Sequence, residues 1–342
     1  GAIFRKEVQN DGLNQLVLNT PLNYRDVNVL RTYCQLYAQL QPMYAKGLTH
    51  TLNQYPECAE QLMRYFMAKF DPELAESAQG RAEQWLPGLE QQFLDLIKPI
   101  QNLSDDRVFR ELFMLVQATA RTNAYQHDRL SGTAIAIKIH SHRVPFMPKP
   151  APWVEIYVQD TFLEGVHLRF GPVSRGGLRW SSRPNDFRTE ILGLVKAQTL
   201  KNVLIVPDGS KGGFVVRMDS DVGDTAAFVQ SQYQRFIAAL LDVTDNKAPD
   251  GSILPPKHCV LYDADDPYLV VAADKGTATF SDLANAVSSQ YNFWLGDAFA
   301  SGGQAGYDHK KEGITARGAW ECVKLHCMDR GVDCQRDPVT VV

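Results

Sequence analysis

Residues 184–217, PNDFRTEILGLVKAQTLKNVLIVPDGSKGGFVVR, change their periodicity twice within 34 positions. Phe187 to Asn202 reads as a helix, with Ile191, Leu194, Gln198 and Lys201 on one stripe. Val203 to Val206 reads as a short, fully apolar strand, and Phe214 to Arg217 as another. The alternation continues downstream. Thr225 to Asp242 is expected as a helix whose core side is Phe228, Tyr233, Phe236, Ile237 and Leu240. Tyr268 to Ala273 should form a buried strand, Ser281 to Tyr291 a helix capped by Ser281, and Ile314 to Arg330 another helix. Helix and strand alternating in this way indicate an α/β domain with a mixed sheet.

Upstream the reading differs. From about residue 21 to 125 the pattern is helical. Val27, Leu30, Tyr33, Cys34, Tyr37 and Leu40 recur at three-and-four spacing, with Asp26 opening the helix and Pro42 closing it. Leu62, Tyr65, Phe66 and Phe70 form a second apolar stripe. Val108, Leu112, Leu115, Val116 and Thr119 form a third, within Arg107 to Asn123. The period then drops to two. In TAIAIKIHSH, residues 133–142, Ile135, Ile137 and Ile139 alternate with Ala136, Lys138 and His140, the pattern of a strand with one wet face. WVEIYVQD and GVHLRF supply two more strands, and Lys138, His140 and Arg169 are expected on exposed faces. The polar segment RTNAYQHDRLSG suggests a boundary near 125–132. The expected organisation is a helical region over 1–130 and an α/β domain over 131–338. The extended, apolar TVV near residues 339–342 reads as the opening strand of a domain cut short.

Composition narrows the partners. The chain has 342 residues, 44% of them hydrophobic, enough to bury a large core. Its net charge is -4, from 35 basic and 39 acidic residues, which asks for neither nucleic acid nor an anionic membrane. No apolar run approaches the roughly 18 residues of a membrane span. The six cysteines form no C-x-x-C pair and fit free thiols in a reducing cytoplasm; their spacing matches no zinc template, so no metal is expected.

The chemistry concentrates between residues 173 and 214. In Arg175-Gly176-Gly177-Leu178-Arg179 the paired glycines let backbone approach a ligand, and the flanking arginines can grip a carboxylate with two hydrogen bonds. Lys201 projects from the side of its helix that should be buried, where it either meets an anion or snorkels outward. Lys211 sits in Gly209-Ser210-Lys211-Gly212-Gly213, uncrowded, just after the apolar strand. Nearby cations and partial burial would make its amine usable as an acid or base. The spacing is not that of a phosphate-binding loop, and no Ser or Thr follows the lysine. Asp274, where a strand runs out into Lys275-Gly276, is placed either to move protons beside a lysine or simply to cap a turn.

The succession RGGLRW, LKN, GSKGG, AAD and GITARGAW resembles the motif order of glutamate dehydrogenases. DDPYLVVAADKGTATFSDLAN, FWLGDAFASGG and YDHKKEGITARGAWE resemble the large NAD-specific class. The likeness is specific over 165–342 and weaker over the helical first third. It implies a substrate domain of glutamate dehydrogenase type and the oxidative deamination of L-glutamate to 2-oxoglutarate and ammonia, with NAD as cofactor. It further implies that Arg175, where relatives have a lysine, meets the side-chain carboxylate; that Lys201 binds the α-carboxylate; that Lys211 activates water; that Asp274 moves protons; and that Thr315 lies near the nicotinamide. A homo-oligomer is implied for the full-length enzyme. The dinucleotide fingerprint G-x-G-x-x-G does not occur here, so this piece alone is expected to bind dicarboxylates at most weakly and not to turn over. Two other readings stay open: a non-catalytic binding or assembly module, and a dehydrogenase of another amino acid, against which the cation at Arg175 argues.

Overall fold

The computed structural model describes all residues except 127–128, 203–207, 219–223, 273–278, 302–311 and 341–342, and says nothing of the side chains of 198–202, 272, 279 and 301. The first third is helical: α1 (Tyr24–Leu40), α2 (Leu48–Gln54), α3 (Pro56–Phe70), α4 (Leu86–Ile97) and α5 (Leu103–Ala118). Helix α1 starts where its sequence dictates. The Asn23 side chain accepts the backbone N–H of Arg25 and Asp26, and the Asp26 carboxylate accepts the Asn23 N–H at 2.9 Å. All six apolar positions expected on α1, and Leu62, Tyr65, Phe66 and Phe70 on α3, are buried.

Helix α5 stops five residues short of the expected Asn123. Lys69 supplies the reason. Its Nζ donates to the carbonyls of Val116, Gln117 and Thr119 at 3.2, 2.8 and 2.7 Å, replacing the helical bonds that would follow. The chain leaves as strand β1 (Thr119–Thr122) and pairs antiparallel with β2 (Ile135–Ile139). Next come β3 (Val154–Gln159), β4 (Leu163–Arg169), β5 (Ser174–Arg175), β6 (Leu178–Trp180), helix α6 (Phe187–Asn202) and β7 (Asp208–Val216). The seven strands make one sheet in the order β1-β2-β3-β4-β7, with β5 and β6 on the far side of β7. The β1–β4 and β4–β7 pairings are antiparallel; β5 and β6 run parallel to β7, because α6 crosses over between β6 and β7. The sheet is therefore mixed, as its alternating pattern requires.

Both faces are covered. Ile135, Ile137, Ile139, Tyr157, Val166, Leu168 and Val215 pack with helices α1–α6. Ala136, Ile156, Val158, Leu163 and Phe214 pack with α7 (Thr225–Leu241) and α8 (Thr279–Gln290). This corrects the expectation of a wet face on β2. Lys138 is 1% exposed and Arg169 2%, while His140 is half-buried. Their charges do not mark solvent: Lys138 and Arg169 lie in the interface beneath α7, where carboxylates meet them. On α7, Tyr233, Phe236, Ile237 and Leu240 are buried and Phe228 only partly so. Ser281 is not a cap but lies inside α8, which starts two residues earlier. The expected strand from Tyr268 appears within the described residues as β8 (Val271–Ala272), parallel to β9 (Ala300–Ser301). Helix α9 (Ile314–Asp329) forms as expected and buries none of its residues.

Candidate active site

The glycine-rich segment around Lys211 is part of a strand. Gly209 to Gly213 are inside β7, bonded to β4 along one side and to β5 and β6 along the other. The glycines are there because neighbours press on the strand. A Cβ on Gly213 would lie 2.2 Å from Ile191 Cδ1 of α6, and one on Gly212 2.2 Å from Leu178 Cδ2. The apolar strand expected at Val203 to Val206 falls outside the described residues.

Register fixes which side each group faces. Lys211 lies opposite Leu168, and Gly213 opposite Val166; both partners belong to the α6 layer. Alternate residues of a strand share a face, so Gly209, Lys211 and Gly213 all look toward α6. Arg175 pairs with Gly209 and Arg179 with Gly213. Arg175, Lys211 and Arg179 therefore follow one another on a single face at the edge of the sheet. Arg175 is exposed, whereas Lys211 is only 8% exposed. A buried amine flanked by glycines, with a guanidinium on the adjoining strand, can hold an anion and exchange a proton with it.

The two glycines before Leu178 do something the sequence did not anticipate. A Cβ on Gly176 would lie 1.5 Å from the Ser210 carbonyl oxygen, and Gly177 O accepts the Gly212 N–H at 3.0 Å. The close approach is to β7 itself, which seats the Arg175 strand beside Lys211. Arg179 also departs from expectation: its Nε is 2.8 Å from Glu190 Oε1, so it is committed to an ion pair. The side chain of Lys201, at the end of α6, and the whole of Asp274 lie outside the described residues. Thr315 is exposed in the first turn of α9. That turn follows Gly313 at φ 62° and has no side-chain cap.

On the opposite face of the same strands is a network that composition did not reveal. Arg169 donates from both terminal nitrogens to Asp266, at 2.7 and 3.0 Å. Lys138 bridges Asp263 and Asp266 at 2.6 and 2.8 Å, and Arg121 meets Asp245 and Asp263 at 2.8 and 2.5 Å. Burial would raise the Asp266 carboxyl, but Arg169 and Lys138 prevail and hold it below the usual range. Beside them is His167, buried with neither ring nitrogen bonded to a described group; burial, assisted by Arg169, lowers it to about 3. The network fastens residues 263–266 to three strands and sets Tyr268 against Arg169, 5.9 Å from ring centre to guanidinium carbon. Burial raises the Tyr268 hydroxyl, while Arg169 and Arg175 pull it the other way. The run DADDPY at 263–268 was the available signal, readable only once cations were known to lie on buried strands. Two cavities lie elsewhere. One, of about 400 Å³, is lined by Tyr24, Arg25 and Tyr125; the other, of about 700 Å³, by Asp242, Pro255 and Tyr291. Neither is lined by Arg175 or Lys211.

Comparison with known proteins gives this geometry a context. The family described as "Bacterial NAD-glutamate dehydrogenase, catalytic domain" matches residues 92–342. The chain belongs to that family. A second match, "Glutamate dehydrogenase, helical motif 3", covers 8–72, so the helical first third has a family counterpart too. Among relatives, the NAD-specific glutamate dehydrogenase of Pseudomonas aeruginosa is 46% identical over 98% of the chain. That of Halomonas elongata is 46% identical over 99%, and that of Mycobacterium tuberculosis 47% identical over 100%. The chain spans 21%, 21% and 22% of their respective lengths. No helix among the described residues is long and apolar enough to cross a membrane.

Proposed function

We propose that this chain carries the substrate-binding and catalytic-lysine part of an enzyme that oxidatively deaminates L-glutamate to 2-oxoglutarate and ammonia with NAD+. One observation supports this above the rest. Lys211 is buried on a central strand with Arg175 on the same face of the adjoining strand, in a chain of the glutamate dehydrogenase family. NAD+, when bound, accepts the hydride from the substrate Cα. Thr315, exposed in the first turn of α9, would face the nicotinamide.

Arg175 grips the side-chain carboxylate and Lys201 the α-carboxylate, so that both ends of the substrate are held and Cα is oriented. Gly176 and Gly177 keep the Arg175 strand within reach of Lys211. Lys211 takes a proton from water as the water attacks the iminium carbon. Asp274 returns protons to the nitrogen, which leaves as ammonia. Expelling water from this edge strengthens each of these charge interactions. A cytoplasmic location accords with six free cysteines, and a homo-oligomer with apolar residues exposed on α9, among them Trp320 and Met328.

The test compares substrates. A protein carrying this chain together with a nucleotide-binding segment should form NADH from glutamate in preference to leucine. Arg175→Leu should cost glutamate about 2 kcal/mol of transition-state binding, or roughly thirtyfold in kcat/KM, and leave leucine almost unchanged. A wild-type preference for leucine would reverse the assignment.

A further inference from the structure

Two arginines flank Lys211 along the sheet edge, and one of them, Arg179, is paired with a carboxylate of the chain itself. Arg179 Nε is tied to Glu190 Oε1 at 2.8 Å. The other oxygen of Glu190, Oε2, accepts the Ser181 hydroxyl at 2.5 Å. Glu190 is in the first turn of α6, where the helix dipole favours a carboxylate, and its side chain is 13% exposed. The next residue, Ile191, packs over Gly213. One carboxylate thus spans the end of the edge strand and the helix that covers Lys211.

The edge needs such a tie. Strands β5 and β6 have two and three residues, and the β7 backbone is their partner in the sheet. Gly212 N to Gly177 O, at 3.0 Å, and Ser181 N to Phe214 O, at 2.8 Å, hold them edgewise. Those bonds fix register but leave the strip free to tilt about β7. The Glu190 contacts act perpendicular to the sheet, toward α6, and restrict that tilt.

We infer that Glu190 is a positioning residue for the dicarboxylate site: by pairing with Arg179 and Ser181 it clamps the Arg175 strand against α6 and withholds Arg179 from the substrate. The inference rests on the proposed glutamate site. It adds a residue that acts through others, touching no reacting atom.

The experiment titrates the chain with glutarate, a five-carbon dicarboxylate lacking the amino group, by calorimetry, well below the onset of unfolding. Wild type should bind weakly but saturably. Glu190→Gln keeps an acceptor for Ser181 but loses the ion pair, and should weaken glutarate about tenfold, the scale of effect expected of a slightly misplaced binding group. Arg179→Met should weaken it by about the same factor, and the double variant no further, since both remove one interaction. A purely structural role would lower the melting temperature but leave the affinity of the folded protein as in wild type. Affinity of Glu190→Gln within twofold of wild type overturns the inference. So does tighter binding in that variant, which would mean that the released Arg179 grips the anion itself. Additive losses also overturn it, and no binding by wild type refutes the glutamate site as well.

Discussion

Arg169 and Asp266 face each other as a two-pronged pair, Nη1 to Oδ2 at 2.7 Å and Nη2 to Oδ1 at 3.0 Å, with both side chains nearly closed to solvent. Lys138 shares the same carboxylate. Removing one member leaves charges stranded where water cannot reach them. Asp266→Asn is expected to destabilise the fold by about 3–5 kcal/mol, whereas exchanging exposed Asp250 for Asn should cost well under 1 kcal/mol. Urea unfolding followed by circular dichroism measures both. A loss below 1 kcal/mol for Asp266→Asn would mean that the network does not hold residues 263–266 in place.

Acid should weaken this face. His167 is depressed from its ordinary 6.5 to about 3 by burial and by Arg169. Between those values the unfolded chain binds a proton that the folded chain refuses. Stability therefore falls as pH drops from 6.5 toward 3, by at most about 1.4 kcal/mol per unit. The lowered Asp266 carboxyl adds to the loss at the acid end, because its contribution disappears as it is protonated. His167→Phe should flatten the slope of urea midpoint against pH across 6.5 to 4.5. An unchanged slope would contradict the assignment.

Two glycines should respond in opposite directions. Gly176→Ala places a methyl group against the Ser210 carbonyl of a central strand, which cannot move aside cheaply. It should cost about 2 kcal/mol or more and abolish glutarate binding. Gly193 is on α6, and a Cβ there would meet nothing within 4 Å. Gly193→Ala should stabilise by about 0.5–1 kcal/mol through helix propensity alone. Melting curves of the two variants, side by side, decide it.

Lys69 caps α5 from another helix. Its ammonium meets three carbonyls and the faces of Phe70 and Tyr262, at 5.0 and 4.8 Å, and burial lowers it to about 7. Lys69→Met keeps most of the volume but orphans the carbonyls. A loss of about 1–3 kcal/mol is expected in chemical denaturation. Parity with wild type would show that water replaces the amine without cost.

Much of the fold could be read from the chain because its stripes are strong. Tyr33, Tyr37, Phe66 and Phe70 could be assigned to the core from spacing alone, and Asp26 marked the start of α1, where Asn23 proved to be its capping partner. The errors share a cause: tertiary partners that no local pattern reveals. Thr119 to Thr122 fit a helical stripe, yet the edge of β2 took their backbone bonds. Lys138 and Arg169 looked wet because their counter-ions, Asp263 and Asp266, lie about a hundred residues or more away along the chain. The glycines of GSKGG carry no strand signal of their own; here they clear space for Ile191 and Leu178 inside a sheet. At the site, residue types at Arg175 and Lys211 were legible, and their common face followed only from strand register. Glu190 carried no signal at all, being one of many acidic residues in a first helical turn.

The most direct test of the account is the turnover of Lys211→Ala in a protein that joins this chain to its nucleotide-binding segment, measured as NADH formed from glutamate at saturating NAD+. The account predicts a loss of about a thousandfold in kcat, with folding intact by circular dichroism. Turnover within a few-fold of wild type would contradict it.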